Sequence, residues 1–398
     1  MKTDGEEMCS FLNDTLDDTI LNAEAANAGV GYEDGTTRTI IIKLLKHHHY
    51  QSVHQSLRNH PNQEAHPVKR FHQRDKVSQA WLSALPTPIS HIPSPEYTQA
   101  MAWFLFLPSP ACQPHVGSLV NGKPLDQYGE VLMNATLPFD TWRTRHSSIQ
   151  ATTEALINDS GVIADAEPYG LFSPLIPAAA TSENGDLRHK RDRQGLVPDL
   201  LITFPSEHGP SSRQLAEIKS LSAGQTWYRS NQKTVDQRAK GLPKAYRDKA
   251  HRIDAKYHNI GQDQVGPLEQ HLNSFGDLLC LVAGQYGEVS QDFHDLISKL
   301  ATSKVDYISR TEGRHLSASE RGLLLHQMRR RLSVTIIRAQ SSCLLSRLGH
   351  FSPGAKEAAK RRAFSKQREE GIAQDRRAHF LAHIRGRRIH EEIGALFI

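Results

Sequence analysis

A carboxylate heads one apolar run of this sequence, and a carboxylate–lysine pair sits in the next. Asp199 follows Pro198 and precedes Leu200, Leu201 and Ile202; eighteen positions later come Glu217, Ile218 and Lys219. Leu196–Phe204 and Arg213–Leu221 both read as strands, and the connection PSEHGPSS between them is rich in turn formers. Side chains alternate along a strand, so Glu217 and Lys219 share one face and Ile218 takes the other. If the two runs pair as a hairpin, Asp199 and Glu217 converge. Two carboxylates in apolar surroundings are costly unless a cation neutralises them. An all-oxygen site of this kind selects Mg²⁺ or Mn²⁺ over zinc. A lysine alongside can orient a water or steady the charge that develops on phosphorus. Those are the requirements for hydrolysing a phosphodiester.

The neighbouring segments predict what would hold such a pair. Trp142 to about Asn158 reads as a helix with Ile149, Thr153, Leu156 and Ile157 on one face, closed by Gly161 and followed by a short strand, VIADAE. After the ExK strand comes a strongly charged helical stretch, 232–257, interrupted at Pro243. A helix over PLEQHLNSF, a buried strand at Leu278–Ala283 and a helix over SQDFHDLISKL follow, and then a long amphipathic helix over 318–348. Upstream, VSQAWLSALP and EYTQAMAWFLFLP read as two short helices, and 108–140 reads as loop.

PD followed eighteen positions later by ExK resembles the signature of the PD-(D/E)XK nuclease superfamily, with Asp199, Glu217 and Lys219 on its motif positions. The resemblance implies an α/β fold: a restriction-endonuclease-like core with a central mixed sheet flanked by helices, here with helical N- and C-terminal extensions. It implies a metal held by Asp199, Glu217 and the Ile218 carbonyl, with Lys219 holding or activating the attacking water. It also implies an acidic residue from the preceding helix, for which Glu154 is the candidate and Glu167 the runner-up, and a polar helper from the following helix, Gln237 or Arg238. Over roughly 78–221 the chain further resembles the endonuclease region downstream of reverse transcriptase in non-LTR retrotransposons. There a CCHC zinc knuckle precedes the nuclease; here Cys112 and His115 keep the spacing of the first pair, while Glu130 and Met133 stand where a His and a Cys would follow. That substitution argues against zinc, and no YxDD-type motif is present.

Composition sets the frame. Among 398 residues the formal net charge is +5, and the segment from Ala355 onward carries eleven basic against six acidic residues, so the excess belongs to the tail. That tail and the loop 188–193, with Arg188, Lys190 and Arg191, are the expected phosphate contacts; Arg145 and His146 read as a helix-capping or phosphate-contacting pair. Trp227 and Tyr228 suit base stacking or core packing. Four widely spaced Cys with no CxxC argue against a disulfide framework, and Cys280 and Cys343 read as small buried hydrophobes. Seven of the 22 His fall within 47–72, a cluster more compositional than ligating. An acidic N-terminus without an h-region and four isolated Cys lead to the expectation of an intracellular protein, and the basic tail, suited to phosphate contacts or nuclear import, to a nuclear one.

The expected organisation is a weakly structured leader (1–75), a helical module with a degenerate knuckle-like region (76–141), a nuclease-like domain (142–300), an amphipathic helical region (301–350) and a basic helical tail (351–398). The expected function is metal-dependent DNA cleavage, with DNA, or RNA, as partner and no membrane. The alternatives are a catalytically inactive nucleic-acid-binding remnant of a retroelement endonuclease, or a helical interaction protein built on 319–347.

Overall fold

The chain divides into two units, Met1–His72 and Gln73–Ile398. The computed structural model describes residues 55, 59, 73–87, 90–105, 107–137, 142–168, 170–182, 184, 196–205, 211–222, 233–261 and 264–351. The His-rich segment to 72, Arg188, Lys190, Arg191, Trp227, Tyr228 and the basic tail lie outside the described residues.

In the second unit, the expected helix over 77–86 is only a 3-10 turn, Ala80–Ser83. Asp75 starts this turn by accepting the Val77 and Ser78 N–H groups at 2.8 Å, and Trp81 then packs edge-on to Tyr97 and Phe104. Leu82 and Leu85 stay exposed, so no continuous apolar face exists to extend the turn. Helix α1 (Ser94–Phe104) follows, with prolines before and inside its first turn. The stretch expected to be loop holds a small hairpin, β1 (Leu119–Val120) with β2 (Lys123–Pro124), and a five-residue helix, α2 (Glu130–Asn134).

Helix α3 (Trp142–Asp159) buries Ile149, Thr153, Leu156 and Ile157 as its spacing predicts. It stops at Gly161, whose φ of +74° suits glycine and where a Cβ would meet the Tyr307 ring at 2.4 Å. Strands β3 (Ile163–Ala166), β4 (Leu200–Phe204) and β5 (Ser212–Ser220) run as an antiparallel meander, with the small helix α4 (Ala178–Thr181) between the first two. A crossover of α5 (Thr234–Tyr257) and α6 (Pro267–Asn273) then brings β6 (Leu279–Ala283) parallel to β5. The result is one four-stranded mixed sheet in the order β3-β4-β5-β6. Its last strand is buried on both faces, the usual pattern for a parallel strand with helices above and below.

Alternation sorts the sheet residues into two cores. Leu200, Ile202, Phe204, Ala216, Ile218 and Leu281 face α3, α7 (Gln291–Glu312) and α8 (Ala318–Leu348), where Phe293, Leu300, Leu332 and Ile336 meet them. Leu201 and Leu215 face α5 and α6 with Tyr246, Ala250, Ile253 and Leu268. Helix α5 runs unbroken through Pro243. A proline inside a helix costs about 3 kcal/mol; the buried row Leu242, Tyr246, Ala250 and Ile253 offsets it. Helix α7 continues to Glu312, so residue 300 falls inside an element and not at a boundary.

Helix α8 starts with a capping box, Ser317 with Glu320, and runs 31 residues. Met328, Leu332 and Ile336 enter the sheet core, Val334 and Ile337 pack on Trp81 and Ala100, and Cys343 and Leu344 pack with Cys112, Leu132 and Met133. From Met328 onward its buried apolar residues pack against other parts of the chain, while Leu323 nearer its start stays exposed. No helix among the described residues is long and apolar enough to cross a membrane.

Candidate active site

The hairpin brings the sequence motif together. The β4–β5 register pairs Leu200 with Ala216, so one step further Asp199 stands opposite Glu217. Asp199 is fixed at both ends. Its Oδ2 accepts the Ile218 N–H at 2.7 Å, while its backbone carbonyl accepts Gln150 Nε2 and the Glu167 N–H, each at 2.9 Å. Glu217 is 5% exposed and turns toward α5, where one carboxylate oxygen accepts from Lys219 Nζ and the other from the Tyr246 hydroxyl. Ile218 points to the opposite core, as alternation predicts.

Charge and burial then act on each group. Burial, reinforced by the nearby Asp199 carboxylate, raises the Glu217 pKa above its ordinary value, against the pull of Lys219 and Tyr246. Burial and the adjacent Glu217 push the Tyr246 phenol well above its ordinary value, so it is a donor at any physiological pH. His146 of α3 lies with Nε2 3.2 Å from Asp199 Oδ2 and 3.0 Å from the Ile218 carbonyl oxygen. Burial alone would lower its pKa, but the hydrogen bond to Asp199 and that carboxylate's charge lift it above the usual 6.5.

The remaining expected residues are placed as follows. The α3 side chains that reach Asp199 are His146 and Gln150, and Glu154 follows one turn on, half-buried, on the same i, i+4 row. Glu167 meets Asp199 through its backbone at a left-handed φ of 45°. Gln237 is exposed and Arg238 half-buried on the second turn of α5, about 12–14 Å along that helix from Tyr246 at 1.5 Å per residue. Arg145 is not a surface phosphate contact. Its guanidinium is buried, donating to Ser220 Oγ at 3.0 Å, Ser222 Oγ at 2.7 Å and Gln340 Oε1 at 3.0 Å, and it ties the end of β5 to α8. Sequence reasoning missed Gln150 and Tyr246. Gln150 sits four residues after His146, and Tyr246 lies in line with Leu242, Ala250 and Ile253 on the buried stripe of α5, so helical spacing was the available signal.

Among the described residues, no three His, Cys, Asp or Glu side chains gather into a group that would hold an ion. The oxygens shown together are the Asp199 carboxylate and the Ile218 carbonyl, both against His146 Nε2, with Glu217 near enough for the Asp199 charge to raise its pKa. This fits a hard divalent cation that keeps much of its coordination shell for water and phosphate. The knuckle-like positions are built by packing: Cys112 and Met133 share an apolar cluster on α8, and His115 stacks on Phe351 with ring centroids 4.9 Å apart. No protein-family model, curated protein or solved structure matches the chain.

The raised pKa values carry a pH signature. A group whose pKa is raised in the fold stabilises it below the unfolded pKa and loses that contribution as the pH rises through the folded one. For Glu217 the loss starts above 4.5, and for His146 above 6.5. Both act in the same direction, so thermal stability in EDTA is expected to fall as the pH rises above 4.5 and further above 6.5. In His146→Gln the upper part of that fall should flatten. Melting curves across the series read it directly, and parallel slopes for the two proteins would remove His146 as a source.

Proposed function

We propose that this chain is a metal-dependent phosphodiesterase with a restriction-endonuclease-like core of PD-(D/E)XK type. Within that class we assign it as a DNA endonuclease of retroelement type. The carrying observation is the junction at which Asp199 grips the Ile218 N–H beside Glu217 and Lys219. It is supported by the order of elements around it: a helix, a three-stranded meander, a crossover helix and a parallel fourth strand. The retroelement assignment rests on the resemblance over roughly 78–221, in which Cys112 and His115 keep the first pair's spacing while Glu130 and Met133 depart from it.

Asp199, Glu217 and the Ile218 carbonyl are the residues that would hold Mg²⁺ or Mn²⁺. When bound, the ion supplies charge neutralisation at the scissile phosphate. Gln150 and the Glu167 N–H hold the Asp199 backbone carbonyl and so fix the point at the head of β4 from which its carboxylate extends. Lys219 is half-exposed and pairs with Glu217; its ammonium is the group placed to hold the attacking water or the phosphate oxygen. Arg188, Lys190, Arg191 and the tail supply phosphate contacts in this reading. Glu154, one turn beyond Gln150 on α3, and Glu167, which meets Asp199 through its backbone N–H, are given no step in this reading.

The test is supercoiled plasmid incubated with the full-length protein in Mg²⁺ or in EDTA. Nicked or linear product in Mg²⁺ alone is the expected result. A second reading is favoured by one contact: His146 already occupies the Asp199 and Ile218 oxygens that an ion would take. It makes the chain a nucleic-acid-binding remnant, and plasmid that is bound but uncut in either ion would decide for it.

A further inference from the structure

We infer that Tyr246 is a positioning residue for the metal-binding carboxylate Glu217, an inference that rests on the proposed reading of the site. Glu217 has three rotatable side-chain bonds, and a glutamate that ligates an ion pays for each one it must freeze. Here two donors from two different elements freeze them beforehand. Lys219, two residues along β5, takes one carboxylate oxygen; Tyr246, from α5 on the far side of the crossover, takes the other. The two donors differ in kind. Lys219 brings a full positive charge and lies at a half-exposed position from which it can leave for substrate. Tyr246 is neutral, 3% exposed and held among Leu215, Ala250, Ile253 and Leu268, so it cannot leave. A neutral donor orients a carboxylate without cancelling the charge that attracts a cation. The phenol therefore keeps Glu217 pointed beside Asp199 whether or not Lys219 is engaged. Groups that orient a ligand in this way are typically worth about 10–100-fold in metal affinity.

A merely structural role makes a different forecast, because a buried phenol needs some hydrogen-bond partner whatever the site does. The experiment is Mg²⁺ and Mn²⁺ titration of the full-length protein by isothermal calorimetry. It compares the unaltered chain with Tyr246→Phe and with Tyr257→Phe, a tyrosine eleven residues along the same helix. The expected result is about 10–100-fold weaker binding in Tyr246→Phe, with Tyr257→Phe close to the unaltered protein. Equal affinity in all three, accompanied by a lower melting temperature for Tyr246→Phe, overturns the inference and leaves the phenol as packing. If the unaltered protein takes up neither ion, the metal-dependent reading itself falls, so the two failures are distinct. A second readout needs no change at position 246. Adding Mg²⁺ to the unaltered protein should perturb the near-ultraviolet absorption of a buried tyrosine, and Asp199→Asn should abolish the change. A flat difference spectrum under saturating ion overturns the inference even where Tyr246→Phe does not fold.

Discussion

Asp199→Asn is expected to lower Mg²⁺-dependent plasmid cleavage by about 10³-fold or more while the protein folds and binds nucleic acid as before. Asparagine keeps the volume and an acceptor for the Ile218 N–H, so the 2.7 Å bond that anchors β5 to Asp199 survives. Only the charge is lost. Asp199→Ala is the harsher test and a less clean one. It leaves the Ile218 N–H without its acceptor and His146 with the Ile218 carbonyl alone, a further stability loss of about 1–3 kcal/mol. Lys219→Ala should cost about 10²–10³-fold in rate with little effect on stability, because its head is half-exposed and its partner Glu217 retains Tyr246. Gel-based cleavage rates and filter binding at two salt concentrations measure both arms. Cleavage that survives Asp199→Asn and Lys219→Ala would remove these residues from the reaction. Binding that ignores both substitutions and EDTA, without cleavage in any sample, would leave the remnant reading standing.

Arg347→Met is expected to be the most damaging substitution away from the site. Arg347 lies near the end of α8, 6% exposed, and its Nη1 donates to the carbonyls of Leu132 at 2.7 Å, Met133 at 2.6 Å and Ala135 at 3.3 Å. Those carbonyls end α2, which at five residues has no stability of its own. The last carbonyls of a helix have no partner within it, and a cation at that end is favoured by the helix dipole. Methionine fills much of the same space but donates nothing, so the Met133 and Ala135 carbonyls lose this donor and the Leu132 carbonyl keeps the Ala135 N–H at 3.3 Å. We expect a loss of about 3 kcal/mol or more, seen as an earlier urea midpoint and as proteolysis appearing first within 107–137. Cleavage sites elsewhere with an unchanged midpoint would show that the module is held by its apolar contacts alone.

The parts of the site that were legible in the sequence are those whose geometry is local. Asp199, Glu217 and Lys219 lie on two strands joined by a short connection, and the period of two along a strand decides which of them share a face. Ile218 falls on the opposite core for the same reason. What the helices add was not legible. That His146 and Gln150 meet Asp199, and Tyr246 meets Glu217, depends on how α3 and α5 are rotated and slid against the sheet, and periodicity fixes only which stripe is buried. Arg145 shows the limit most clearly. A charged residue beside a histidine at a helix start reads as surface, yet its partners Ser220, Ser222 and Gln340 lie 75 to 195 positions away and make an interior site for it. Pro243 failed in the other direction: a local breaking rule was overridden by the tertiary packing of Leu242 and Tyr246.

The same long reach of α8 orders the protein's assembly in time. Ser333 of α8 accepts the Trp81 N–H across 252 positions, and Gln340 spans 195 to Arg145 and 119 to the Leu221 carbonyl. A ribosome adding about 5–20 residues per second needs on the order of 10–50 s to make the stretch between Trp81 and Ser333. Through that interval the meander bearing Asp199 and Glu217 can form, yet the clasp of Arg145, Ser220 and Gln340 that fixes the end of β5 has no third member. The nascent chain is thus assembled around α8, and a truncation before Gln340 should leave a hairpin with its carboxylates and no completed site.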